Sequence, residues 1–356
     1  MGIALIGTTT TTIAVIGLVI VVLGWILYGI ANVIGGRSEL GSEIELAANR
    51  KEYYDDETLE GPRLERVQLI GVLLLALIVV MLPLYWIFEP ERQAGAQEGW
   101  DNRHASWGSQ LFEPTAEGGF NCAGCHGGMG AVGGEAPFTV TNPVTQEVEA
   151  VNWKAPALNT VFYRFDEDEV RFILNYGRPF SPMSPWGLVG GGPMNTQQID
   201  NLIAYMKSIQ IPREDCGEGE DPLTCDLGHL PSDLQDEIEA AAQKAVTDGE
   251  AASYGEALFN LELGSGAYSC ARCHTLGWSY DQPGIAGQGA YGWNLTGGST
   301  NAHFASEADM VSFIKSGSVN GKLYGLNGQG SGRMPGFGSL LTDAQIEAVV
   351  EYVRSL

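Results

Sequence analysis

Two pentapeptides, Cys122-Ala123-Gly124-Cys125-His126 and Cys270-Ala271-Arg272-Cys273-His274, limit what this chain can fold into. Two thiols three positions apart can add across the two vinyl groups of one porphyrin, and the adjacent imidazole then reaches the iron. Each copy predicts one covalently attached haem c, so the fold must enclose two large, flat, mostly apolar groups. The same four thiols could instead hold structural zinc, but such sites rarely place His directly after both Cys pairs. A redox Cys-x-x-Cys would sit between a strand and a helix, a context that neither copy shows.

The chain has 356 residues, enough for two modest domains and additional segments. Its apolar residues are unevenly spread. No residue from Ile3 to Gly36 is charged, with a dense apolar stretch from Ile13 to Ile34, and Val67 to Phe88 is uncharged as well. Both exceed or match the roughly 20 residues needed to cross a bilayer. Transmembrane helices are expected at 1–36 and 67–88, followed by a linker at 89–99. The first stretch has no basic residue before it and no small-residue cleavage pattern, so it reads as a retained anchor rather than a signal peptide. The intervening loop, 37–66, carries Arg37, Arg50, Lys51, Arg63 and Arg66, whereas only Arg92 and Arg103 follow soon after the second span. The excess of basic residues predicts a cytoplasmic loop, a two-pass protein of the cell membrane, and haem domains on the extracytoplasmic side.

The net charge is −24, and the acid is concentrated. Between Arg213 and Glu250 there are twelve Asp or Glu against one Arg and one Lys. Residues 213–251 read as a solvated acidic linker with an exposed helix, or else as a negative docking face for a basic redox partner. The same charge disfavours nucleic acid as a partner. Cys216 and Cys225 flank a short segment of this linker and are expected to form a disulfide outside the cytoplasm.

The extramembrane part is an internal repeat. Trp107-Gly108-Ser109-Gln110-Leu111-Phe112 precedes the first haem motif, and Tyr254-Gly255-Glu256-Ala257-Leu258-Phe259 precedes the second. Downstream, Val170, Phe172, Ile173 and Gly177 match Val311, Phe313, Ile314 and Gly317, short helices that stop at glycine. Amphipathic helices then close the two units. Ile199, Leu202, Ile203 and Met206 form the stripe of one, Ile346, Val349, Val350 and Val353 that of the other. Gln198 and Tyr205 repeat as Gln345 and Tyr352.

This pattern resembles the class I cytochrome c domain, in which an N-terminal helix with Gly and an aromatic crosses a C-terminal helix with Tyr or Trp. The expected fold is all-α: two N-terminal transmembrane helices, then cytochrome c domains at 100–212 and 252–356. The resemblance implies a second axial ligand, a Met thioether from a loop before the last helix. In the second domain Met334 fits, in Arg333-Met334-Pro335-Gly336-Phe337, 60 residues beyond His274 (334 − 274). Met310 reads as core. In the first domain Met129 lies too close to His126, and Met206 belongs to the closing helix. Met183, 57 residues beyond His126 (183 − 126) and set between prolines, is favoured over Met194, which aligns with Leu341. The expected iron ligands are therefore His126 and Met183, and His274 and Met334; Cys122, Cys125, Cys270 and Cys273 anchor the porphyrins.

His104, His229 and His303 do not repeat between domains and read as surface or supporting residues, His303 in a polar turn. The stretch Gly133 to Asn159 alternates around an Asn-Pro pair and predicts a small β-hairpin insertion, either a partner interface or an inert elaboration. The Gly-rich runs Gly187–Gly192 and Gly325–Gly332 lack the strand and helix of a phosphate loop and read as backbone against a haem edge.

A haem with both axial positions filled stores and passes single electrons. No other cluster of acid, base and nucleophile points to separate catalysis, so no catalytic residue is expected and the chain reads as an electron-transfer subunit. The layout resembles the cytochrome cc subunit of actinobacterial-type quinol-oxidising bc complexes. That resemblance implies electrons received from a Rieske iron–sulfur protein beside cytochrome b and passed to a terminal haem–copper oxidase in aerobic respiration. Both anchors precede the haem domains here, whereas the resembled subunits place one after them. Alternatives are the dihaem electron-entry subunit of a cbb3-type oxidase and a dihaem peroxidase, which would need a displaceable ligand.

Overall fold

The computed structural model describes residues 2–39, 61–141, 145–178, 181–218, 220–221, 225, 228–262, 269–318 and 334–356. The Asn142-Pro143 turn, Arg50, Lys51 and Gly325–Gly332 lie outside the described residues. The chain divides into two compact units, Met1–Gly99 and Trp100–Leu356.

The first unit contains helix α1 (Gly2–Glu39) and most of α2 (Pro62–Phe112). Val15–Ile34 and the apolar start of α2 are long and apolar enough to cross a membrane, and their large side chains are exposed. Unburied Ile, Leu and Val on this scale need an apolar solvent, as a two-pass membrane protein would provide. Residues 89–99, expected as a linker, are helical. Glu89 pairs with Arg92 at 2.6 Å one turn on, and Gln93 reaches the same carboxylate, so the sequence carries its own helix-stabilising contacts. Pro83 and Pro90 are accommodated inside this helix.

The second unit holds both repeats. In chain order its elements are the end of α2, α3 (Cys122–His126), β1 (Gly134–Thr141), β2 (Val148–Ala155), α4 (Glu167–Tyr176) and α5 (Thr196–Ser208). Next come α6 (Ser232–Thr247), α7 (Tyr254–Asn260), α8 (Ala271–His274), α9 (Ser299–His303), α10 (Glu307–Ser316) and α11 (Asp343–Ser355).

The closing helices begin with capping boxes: Asn195 with Gln198, and Thr342 with Gln345. This explains the repeated glutamine, since each side chain returns to the N-cap backbone and satisfies an otherwise orphaned donor. The repeated glycines mark where helices cross. A Cβ on Gly108 would overlap the Asn201 carbonyl, and one on Gly255 would overlap that of Ala348. Beside each crossing an aromatic pair packs, Phe112 with Tyr205 at 5.2 Å and Phe259 with Tyr352 at 5.4 Å. The Tyr205 hydroxyl also donates to the Met129 carbonyl.

Two features depart from an all-α fold with an acidic spacer. The insertion is a two-stranded antiparallel hairpin, Gly134 opposite Ala155 through Thr141 opposite Val148. Within 213–251, α6 is not a solvated helix: Ile238 and Ala242 are fully buried, and Gln235 donates to the Leu340 carbonyl at 2.8 Å. Its acidic side chains face water while its apolar stripe joins the second core. At the other end of the segment, the Cys216 and Cys225 sulfurs lie at bonding distance, with Cα atoms 5.7 Å apart.

The hairpin's partner is the chain's own second repeat. Trp153 sits between Phe138 at 5.6 Å and Tyr280 at 5.1 Å. Lys154 pairs with Glu262 at 2.7 Å and Asp281 at 2.8 Å, and Gln282 donates to Glu149 at 2.7 Å. Ala157 and Tyr163 of the first repeat belong to the second repeat's core. The inserted strands thus fasten one repeat to the other.

Candidate functional site

Both Cys-x-x-Cys-His motifs open into one cavity of about 1020 Å³. On α3, and on α8 together with its N-cap Cys270, the two thiols and the imidazole stand at offsets of three and four, so all three face the same wall. Cys122, Cys125, His126, Cys270, Cys273 and His274 all line it. Burial pushes the Cys122 and Cys270 thiols up to about 12 and raises those of Cys125 and Cys273. Sulfur in such surroundings favours a neutral form, which a thioether is.

The imidazoles are held alike. Nδ1–H of His126 donates to the Pro156 carbonyl at 2.8 Å, and Nδ1–H of His274 donates to the Trp293 carbonyl at 2.8 Å. A carbonyl can only accept, so the proton belongs on Nδ1 and the Nε2 lone pair is free for a metal. Burial lowers both imidazole pKa values, opposed by these hydrogen bonds, and favours the neutral ring that a metal requires. Pro156 and Trp293 were not identified from the sequence. Their contribution is a backbone oxygen, and only Pro-Ala-Leu against Trp-Asn-Leu, just before each next helix, hints at it.

Met183 and Met334 also line the cavity, and their backbones are held by like contacts. Each helix before them ends at a glycine with φ +70°, Gly177 or Gly317. The N–H of the next residue donates to the Met carbonyl: Arg178 to Met183 at 2.8 Å, Ser318 to Met334 at 2.9 Å. Each Met N–H then donates to a serine hydroxyl, Ser181 at 3.2 Å or Ser318 at 2.8 Å. Met194 is fully buried away from the cavity, its N–H donating to the Trp186 carbonyl at 2.8 Å. Met206 and Met310 are buried on helix faces that border the cavity.

Of the other histidines, His229 lies on the surface in a bridge with Glu214, and His104 bonds Asn201 at 2.6 Å. His303 is not in a polar turn. It ends α9, is 7% exposed and lines the cavity. In Gly187–Gly192, Leu188 and Val189 are exposed, so this run turns partly to solvent.

Where the repeats meet, the cavity wall is cationic. Lys154, Arg164, Arg178 and Arg272, four of the chain's 19 basic side chains, line it together. Arg164 and Arg178 lie against the Phe165 ring at 5.8 and 5.3 Å, and Lys154 and Arg272 against the Trp278 ring at 4.9 and 5.5 Å. Stacking on aromatic faces holds these cations in an apolar setting.

An apolar cavity with paired thiols, a neutral imidazole of fixed tautomer and a thioether fits haem c. Among the described residues no three His, Cys, Asp or Glu side chains cluster as a metal site, which the zinc alternative would need. Residues 251–353 match the family model described as cytochrome C oxidase, cbb3-type, subunit III. No curated protein and no solved structure matches the chain. The chain contains a c-type cytochrome domain, similar over its second repeat to that subunit, and a domain of this kind carries covalently bound haem c and transfers electrons.

Proposed function

We propose that the chain is a membrane-anchored dihaem cytochrome c that relays single electrons between respiratory complexes. The observation that carries this reading is the duplication, side by side, of one complete ligand set: two thiols, a carbonyl-held imidazole and a loop-held thioether. Haem supplies one-electron chemistry when bound. Cys122 and Cys125 would anchor the first group, with His126 and Met183 on its iron; Cys270, Cys273, His274 and Met334 would do so for the second.

The chain's own residues then hold the potential and exclude side reactions. Met183 and Met334, as sulfur ligands, would raise the reduction potential and leave no coordination position for oxygen or peroxide, which disfavours a peroxidase. The hairpin keeps the two sites within one cavity, so the internal step needs no diffusion. Helical anchors confine the domains to the membrane surface and raise their effective concentration near partners. The domains belong on the extracytoplasmic side, with loop 37–66 in the cytoplasm and Cys216 joined to Cys225 as a disulfide.

The donor in this reading is the Rieske protein of a quinol-oxidising bc-type complex with its cytochrome b, and the acceptor a terminal haem–copper oxidase. The family match over 251–353 is equally compatible with a second reading, electron entry into a cbb3-type oxidase. Purification from detergent-solubilised membranes separates the two. Recovery with Rieske protein and cytochrome b supports the first; recovery only with a haem–copper oxidase supports the second. Acid–acetone extraction that leaves denatured protein colourless would defeat both.

A further inference from the structure

The two attachment motifs differ at one position: Gly124 in Cys-Ala-Gly-Cys-His stands where Arg272 stands in Cys-Ala-Arg-Cys-His. In the first motif that space is taken by the Asn121 side chain, whose Oδ1 lies 2.5 Å from where a Gly124 Cβ would be. In the second, the side chain leaves its own repeat. Nη1–H of Arg272 donates to the carbonyl of Lys154, near the end of β2, and the guanidinium lies 5.5 Å from the Trp278 ring.

Lys154 opens a strap of three residues. Two positions on, the Pro156 carbonyl accepts from Nδ1–H of His126 at 2.8 Å. Lys154, Ala155 and Pro156 line the cavity together with Arg272 and His126. A continuous path therefore leads from the second motif to the first motif's imidazole: guanidinium, Lys154 carbonyl, Ala155, Pro156 carbonyl, His126. The first repeat itself holds the far end of the strap, with the Leu158 N–H donating to the Ala131 carbonyl at 2.8 Å. At the near end, Ala155 pairs with Gly134 in the hairpin, and Arg272 adds a bond from a charged donor, one of the stronger kinds. The charge is felt across the same boundary. Burial does most to lower the His126 pKa, and the Arg272 guanidinium adds to that lowering.

We propose that Arg272, though it belongs to the second motif, is a positioning residue for the first haem: it fixes the carbonyl that orients His126, and its charge raises that haem's reduction potential. The inference rests on the dihaem reading above. Oxidation adds one positive charge at the iron, so a fixed cation nearby opposes it. Gly124 has no side chain with which to do the same for the second haem.

The test is redox titration of the full-length, detergent-purified holoprotein, with covalent haem counted first in every variant. The first haem's midpoint is the one that M183L lowers. R272Q, which removes the charge, should lower that midpoint by roughly tenfold in the redox equilibrium constant, about 59 mV for one electron. R272K, which keeps a cation and a donor, should hold it within about twofold of wild type. R272L should lower it as R272Q does and also shift the low-spin ferric electron paramagnetic resonance signal of the same haem, because the carbonyl on His126 loses its support. A fully loaded R272Q in which only the midpoint lowered by M334L moves overturns the proposal. A fully loaded R272L with the first haem's signal unchanged overturns it too, as does R272K falling as far as R272Q. Should R272L fail to load haem, R272Q and R272K decide. Wild-type protein without two covalent haems would instead sink the dihaem reading itself, a separate result.

Discussion

The backbone N–H of Arg178 donates to the Met183 carbonyl at 2.8 Å, and in the second repeat that of Ser318 donates to the Met334 carbonyl at 2.9 Å. Both bonds follow a glycine at φ +70° that turns the chain back on itself. Met183 thereby occupies in the first repeat the place that Met334 occupies in the second, while Met194 matches the buried Leu341. M183L and M334L should each remove about half of the sulfur-to-iron absorption band and lower one midpoint potential. M194L should leave the band intact. A band lost in M194L and kept in M183L would reassign the ligand.

The hairpin predicts a stability effect. Trp153 reaches Phe138 on its own sheet and Tyr280 on the other repeat. Aromatic pairs contribute about 0.5–1.5 kcal/mol each beyond their buried area, so W153A should destabilise by about 2 kcal/mol or more. V148A, at a position 71% exposed, should change stability by less than about 0.5 kcal/mol. Thermal unfolding followed by circular dichroism compares them, and equal midpoints for the two variants would contradict a fastening role.

At the helix crossings, G108A and G255A should each cost about 1–3 kcal/mol or more. The added methyl group meets a backbone carbonyl, Asn201 or Ala348, which cannot move aside as a side chain would. Denaturant midpoints measure the loss. A neutral G255A would mean that α7 and α11 can separate without penalty.

A pH effect follows from Glu167. The Lys207 ammonium at 2.6 Å, then the Arg171 guanidinium at 2.8 Å, hold its carboxylate below the usual pKa. A carboxylate with a lowered folded-state pKa contributes stability above its unfolded value, near 4.5, that is lost as pH falls through the folded value. The side chain is 40% exposed, so the contribution is screened to about 0.5 kcal/mol. E167Q should lower the unfolding midpoint slightly at pH 7, and the difference from wild type should shrink as pH drops below 4. A gap that widens on acidification would reverse the sign.

Much of this molecule is set by neighbours along the chain. The Cys-x-x-Cys-His triads need one helical turn, the capping boxes of Asn195 and Thr342 need four residues, and the apolar runs need only length. Spacing and period carry such features because the groups involved are covalently close. Even the second-repeat thioether, Met334, is visible as a Met-Pro pair before a closing helix.

Only the folded chain decides what meets across a hundred residues. The alternation of the insertion announces a hairpin, yet nothing local says that Trp153 will find Tyr280 or that Lys154 will find Glu262 and Asp281. The acidity of 213–251 suggests a solvated spacer, and packing overrides it, because Ile238 and Ala242 share a face that another core can cover. His303 looks polar and loop-borne until α9 turns it into the cavity, and the carbonyls of Pro156 and Trp293 leave only the faint likeness of Pro-Ala-Leu to Trp-Asn-Leu in the sequence. Long-range pairing depends on shape and on burial of apolar area, quantities that exist only once the chain has closed on itself.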